Sequence, residues 1–180
     1  MDGISRDNSA LVVIDVQEKF RPVIKDFDDT VANIVKLIKG FQVLGVPIIF
    51  TQQYTKGLGE TVDEIKKVAE FEPIEKLSFS CFDEDEFKRK IRALGRRHLV
   101  LCGIESHVCL LNTALDAIEA GYTIHYVIDA VSSRRESDKD IAVKRVIQEG
   151  AKAGSTEIVL FQILKTADAG EFKEISKIVK

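Results

Sequence analysis

Five continuous apolar, β-branched runs constrain this chain more than any other feature: ALVVIDV (10–16), VPIIFTQ (46–52), RHLVLCG (97–103), YTIHYVID (122–129) and TEIVLFQ (156–162). A strand with one wet face alternates apolar and polar residues. A run without that alternation suits a strand covered on both faces, as in a parallel sheet between helices. Helical patterns separate the runs. Val31, Ile34, Val35, Ile38 and Phe41 follow the spacing of one buried helix face. DEDEFKRKIRALG (83–95) starts acidic, ends basic and is followed by a glycine, as the helix dipole and C-cap geometry favour. SHVCLLNTALDAIEAG (106–121) offers Ser106 as N-cap and Gly121 as stop. SDKDIAVKRVIQEG (137–150) repeats the scheme, and EFKEISKIVK (171–180) closes the chain.

Strand alternating with helix predicts an α/β fold: a three-layer α/β/α sandwich with right-handed crossovers around a mainly parallel, Rossmann-like sheet of five to six strands. The sixth strand is expected near PIEKL (73–77), where Pro73 favours an edge. QQYTKGLGE (52–60) lacks periodicity and reads as a mobile loop. At 180 residues, without repeats or a linker, residues 1–180 read as one domain.

Charge and composition exclude several classes. A net charge of −3, with Lys and Arg spread along the chain, argues against a nucleic-acid partner. MDGISRDNSA is too polar for a signal peptide, and no run approaches the ~20 apolar residues of a membrane span. A cytoplasmic protein is expected. Cys81, Cys102 and Cys109 contain no CxxC pair, and His98, His107 and His125 are scattered, so no metal or other cofactor is expected.

Ligands of open α/β sheets bind beyond the carboxyl ends of the strands. Asp15 follows the run Ala10 to Ile14, Lys76 follows Ile74 in IEKLSFSCF, and Cys109 lies one short turn beyond Gly103. Each has a plainer reading: a turn residue for Asp15, solvated surface for Lys76, a small core hydrophobe for Cys109. On a helix, Val108, Leu111, Leu115 and Ile118 form an apolar stripe, and Cys109 falls about 100° from Val108, beside Asn112, Thr113 and Asp116. Together the three make chemical sense. A helix N-terminus and a nearby ammonium favour the reactive thiolate. A carboxylate can take the thiol proton and return it to a leaving amine, and backbone N–H groups around Glu105 and Cys109 can hold an oxyanion.

These residues resemble the isochorismatase-like cysteine hydrolases, a group that includes nicotinamidases and N-carbamoylsarcosine amidase. ALVVIDVQEKF (10–20) is similar to the family's first strand, KLSFSCF (76–82) to its lysine segment, GIESHVCLLNTALDAIEAGY (103–122) to its nucleophile helix, and DAVSSR (129–134) to the loop after the next strand. The resemblance implies Asp15 as general base, Lys76 as thiolate stabiliser and Cys109 as nucleophile. It also implies a cis peptide between Ile104 and Glu105, which would aim the Glu105 N–H into an oxyanion hole beside that of Cys109. Nicotinamidases carry an Asp-x-His metal motif after the second strand. Here TQQYT (51–55) puts Gln53 and Thr55 there, poor replacements, so no catalytic metal is expected. Isochorismatases that cleave a vinyl ether need no cysteine, yet this chain keeps one. The resemblance is to members of unassigned substrate.

Gln17 is expected to orient a substrate amide or to bond backbone. Gln52 and Tyr54 are expected to line the pocket, and Phe20 and Phe79 to supply an apolar wall or ordinary packing. His107 should face away from the thiol, Ser132, Ser133 and Arg134 should shape a loop or subunit contact, and Cys81 and Cys102 should pack. The expected function is metal-independent hydrolysis of a C–N bond in a small amide-like molecule through a thioester, in a homo-oligomer (a dimer or an assembly of dimers). The rival is a non-catalytic small-molecule binder or scaffold on the same fold. A redox pair of Cys102 and Cys109 is weaker, because six residues and a strand–helix break separate them.

Overall fold

The computed structural model describes residues 3–180. In chain order the elements are β1 (Ser9–Ile14), α1 (Phe27–Val43), β2 (Ile48–Gln53), α2 (Thr55–Leu58), α3 (Asp63–Lys66), β3 (Ile74–Lys76), α4 (Asp85–Leu94) and β4 (His98–Ile104). A π-helical turn, Ser106–Leu110, leads into α5 (Leu111–Glu119). Then follow β5 (Thr123–Ser132), α6 (Glu136–Gln148), β6 (Lys152–Gly154), α7 (Thr156–Leu164) and α8 (Phe172–Val179).

All strand pairings are parallel, and the six strands lie in the order β3-β2-β1-β4-β5-β6. The sheet is buried on both faces, as the apolar runs require. Leu11 and Val13 of β1 pack with α1, α7 and α8, while Ala10, Val12 and Ile14 pack with α4, α5 and α6. The order reverses between β1 and β4, so the carboxyl ends of these two strands frame the crevice where such sheets bind ligands. The two ends approach closely. Gly103 pairs with Ile14 at φ +130°, and a Cβ there would collide with the Ile14 carbonyl.

One expected strand is a helix. Residues 156–162 lie in α7, and the edge strand is the short Lys152–Gly154 before it. The buried residues Thr156, Val159, Leu160, Ile163 and Leu164 have helical spacing. Ser155 caps the helix by accepting from the Ile158 N–H, and the Asp129 carboxylate accepts from the Thr156 N–H at 2.8 Å. The run reads as nearly continuous because the outward side of this helix also carries apolar residues, Ile158 at 50% exposed and the half-buried Phe161, a case in which periodicity alone does not separate helix from strand. Also, 129–132 of the DAVSSR segment still belongs to β5.

The segment expected as a mobile loop is tied down. It holds the helical turn α2, whose Thr55 N–H and hydroxyl both donate to the Glu75 carboxylate.

At the opposite end of the sheet, His98 Nδ1 and His125 Nε2 lie 3.0 Å apart, both rings buried. Burial first, then His98 and Lys152, pull the His125 pKa down to about 4. A histidine held neutral in the folded state, with an ordinary value near ~6.5 when unfolded, stabilises the fold fully above that value. Its contribution fades as pH falls from about 6.5 to about 4, because only the unfolded chain takes up the proton. Urea unfolding should therefore lose roughly 2–3 kcal/mol more in wild type than in His125→Gln over this window; parallel curves for the two proteins would contradict it.

Candidate active site

Asp15, Lys76 and Cys109 meet at the carboxyl ends of β1, β3 and β4. Asp15 leaves β1 at φ +53° and is fully buried. Its Oδ1 accepts a 2.7 Å hydrogen bond from the Thr51 hydroxyl of β2, and its Oδ2 forms an ion pair with Lys76 Nζ at 2.7 Å. Lys76 is the last residue of β3, with its side chain 0% exposed. Its Nζ also donates to Gln53 Oε1 at 2.5 Å, to the Ser78 carbonyl at 3.0 Å and to the Phe79 carbonyl at 3.3 Å. Burial is the largest single influence and works against the ammonium, but Asp15 together with the neighbouring Cys109 and Cys81 sulfurs outweighs it, and the Lys76 pKa is raised. Beyond this ion contact Oδ2 has no hydrogen-bond partner.

Cys109 sits in the π-helical turn, buried with 6% of its surface exposed. Its sulfur lies 3.9 Å from Gln53 Oε1. The expected balance of charges is reversed here. Burial pushes the thiol pKa up, Asp15 adds to that, and Lys76 opposes without prevailing. The thiol is thus the resting form. The expected apolar stripe is also displaced. Leu111 of that stripe is buried together with Leu110, Thr113, Ala114 and Ala117, whereas Val108, Leu115 and Ile118 lie on the flank. Small residues at 114 and 117 let α5 sit close to the sheet.

The Ile104–Glu105 peptide is cis, at the position the resemblance implied. Ile104 is buried, and the Glu105 carboxylate accepts from the Arg134 Nε at 2.9 Å and its backbone N–H at 3.3 Å. His107 Nδ1 lies 3.0 Å from the Ser133 hydroxyl, and Ser132 donates to the Lys25 carbonyl. The DAVSSR segment thus buttresses the turn that carries Cys109.

The expected pocket residues divide. Gln17 is fully buried and engaged with backbone. It donates to the Gln53 and Gly59 carbonyls and accepts from the Gln53 N–H at 2.8 Å. Gln52 likewise links Thr55 and the Thr61 N–H. These amides organise the loop instead of opening onto a ligand. Phe20 packs against the core, while Tyr54 (51% exposed) and Phe79 (59% exposed) stand at the surface with Leu77. Cys81 is buried, and burial, reinforced by Asp15, pushes its thiol up to about 12. Cys102 packs inside the sheet. Thr51 and Gln53 were missed as site residues. The only signal was their place at the end of β2, where Gln53 registers opposite Lys76. Gln53 and Thr55 are bonded to Lys76 and Glu75, and no group of three or more His, Cys, Asp or Glu able to hold a metal gathers among the described residues.

A parallel α/β sheet with a thiol, a carboxylate and an ammonium at its switch point defines the class of the molecule. An isochorismatase domain model matches residues 9–158, and the chain belongs to this family. It is 40% identical to isochorismatase domain-containing protein 2 of Danio rerio, over 99% of this chain and 92% of that protein. The solved structure of MAR1 ribonuclease from Caenorhabditis elegans is 38% identical and superposes with a TM-score of 0.93, covering 99% of this chain and 92% of that one. The YcaC gene product of Escherichia coli, described as an octameric hydrolase of unknown specificity, shares the fold at TM-score 0.91 and 22% identity, covering 99% and 91%. The chain therefore has the fold of isochorismatase-family hydrolases.

Removing one member of a buried ion pair leaves the other charge without compensation. Lys76→Met should destabilise the fold by about 3–5 kcal/mol, and Asp15→Asn in the same chain should restore much of it. A double-variant loss equal to the sum of the two single-variant losses, measured by urea unfolding, would mean that the pair is not coupled.

Proposed function

We propose that the protein is a metal-independent cysteine hydrolase that cleaves the C–N bond of a small amide-like substrate. The observation that carries this reading is the buried contact of Asp15, Lys76 and Cys109, with the thiol protonated at rest and a carboxylate oxygen open to take its proton. Sγ attacks the substrate carbonyl carbon as its proton passes to Asp15 Oδ2, and the carbonyl π pair moves to oxygen. The backbone N–H groups of Glu105 and Cys109 hold the oxyanion. As it collapses, the C–N bond breaks and Asp15 returns the proton to the departing amine, leaving a thioester. Water then attacks the thioester, with Asp15 again taking a proton. The acid leaves and the thiol is restored. Lys76 stays charged throughout and offsets the negative charge as it moves from carboxylate to sulfur.

Residues 1–180 act in this reading as a single domain. Tyr54, Leu77 and Phe79 form an apolar rim suited to a small, largely apolar acyl group. A homo-oligomer and a cytoplasmic setting complete the proposal; three free cysteines fit a reducing compartment. Among the described residues, no helix is long and apolar enough to cross a membrane. The ribonuclease name of the C. elegans relative motivates a second reading, scission of RNA. Against it, the central ammonium is already bonded to Asp15, Gln53 and two carbonyls, which leaves it poorly placed to clamp a phosphate.

A screen of small amides, with RNA as a parallel substrate, should yield amide turnover that falls at least about 10³-fold in Cys109→Ala. Intact mass should show an acyl adduct on Cys109. Turnover that survives in Cys109→Ala would refute the cysteine mechanism. RNA cleavage without amide turnover would favour the second reading, and neither activity would favour a binding scaffold.

A further inference from the structure

Gln53 occupies a position that the three-residue mechanism leaves without a task. Its side chain is buried between the two other strand ends, and its atoms have separate partners. Oε1 accepts from Lys76 Nζ at 2.5 Å and lies 3.9 Å from Cys109 Sγ, while Nε2 donates to the Leu77 carbonyl at 2.8 Å. The donation to Leu77 fixes which end of the amide faces the site. The backbone of Gln53 is fixed as well, because the Gln17 side chain binds both its N–H and its carbonyl. Parallel register sets Gln53 beside Lys76.

We propose that Gln53 is a positioning residue of this site: its amide oxygen, shared by Lys76 Nζ and Cys109 Sγ, holds the ammonium against Asp15 and beside the sulfur. The inference rests on the cysteine-hydrolase reading and adds a residue to it. Neutrality is the physical reason for an amide here. A carboxylate would bind Lys76 at least as well, but it would set a second negative charge beside the sulfur and Asp15, where the thiolate must form. An apolar residue would free Nζ from one acceptor and remove the oxygen to which the thiol donates. Both changes favour the thiolate. Glutamine alone holds the ammonium without adding charge.

Two variants of similar size thus have opposite expected effects. Gln53→Glu should move the pH dependence of Cys109 alkylation by iodoacetamide, read by peptide mass, upward by about 1–3 pH units. Gln53→Met should move it downward by about one unit. Cys81 and Cys102, both buried, serve as controls for partial unfolding, since they should stay unmodified in every folded sample. A role in packing alone would change stability in both variants and leave the two profiles on that of wild type. Superimposed profiles, or shifts of the same sign, would overturn the assignment. Should Gln53→Glu not fold, an unshifted Gln53→Met profile is enough to reject it. The readout needs no substrate, so loss of the Gln53 assignment is distinguishable from loss of the hydrolase reading, which fails only if turnover does not depend on Cys109.

Discussion

The Lys76–Asp15 ion pair is the constraint on which the rest of this site depends. Two charges 2.7 Å apart with no exposed side-chain surface are costly to remove from water, and such a pair persists only when its remaining bonding capacity is filled. Here Thr51 supplies a donor to Asp15, while Gln53 and two main-chain carbonyls surround Nζ. The pair therefore fixes the relative positions of β1, β2 and β3 at their carboxyl ends. It also sets the state of the thiol. With Lys76 already neutralised by a carboxylate, the ammonium does not overcome burial, and the sulfur keeps its proton.

A second layer of neutral amides translates this order into the surrounding loop. Gln17 binds the main chain on both sides of Gln53 and reaches Gly59, while Gln52 reaches Thr55 and Thr61. The segment after β2, although rich in glycine and polar residues, is thus anchored from within. On the other side of the sulfur, Arg134 holds Glu105 and Ser133 meets His107, so the segment just after β5 supports the turn that carries Cys109. Tyr54, Leu77 and Phe79, near Lys76 through the chain or through the Tyr54 N–H bond to the Lys76 carbonyl, remain exposed, while the polar groups of the centre largely bond one another.

Much of this was legible in the residues. The burial of both sheet faces follows from continuous β-branched runs, and the site from a carboxylate, an amine and a thiol each placed just past an apolar run. Two readings failed for identifiable reasons. Residues 156–162 look like a strand because the outward side of α7 also carries Ile158 and Phe161, which breaks up the usual polar face. The deciding signals were Ser155 as a cap and the spacing of Val159, Leu160 and Ile163. On the helix that follows Cys109, the face turned to the sheet is Leu110, Leu111, Thr113, Ala114 and Ala117, whose small residues mark the buried side less strongly than Leu115 and Ile118 on the flank.

The sequence by itself determined the class of fold, most of its elements and the three side chains that meet at the strand ends, because apolar patterning and residue chemistry are local properties. Only the tertiary structure decided the protonation balance and the partners. Whether Lys76 lowers the thiol pKa or is consumed by Asp15 depends on burial and on distances of a few ångströms between strands far apart in the chain. For the same reason Gln53 and Thr51, ordinary residues at the end of a strand, became part of the site once parallel register set them beside Lys76 and Asp15.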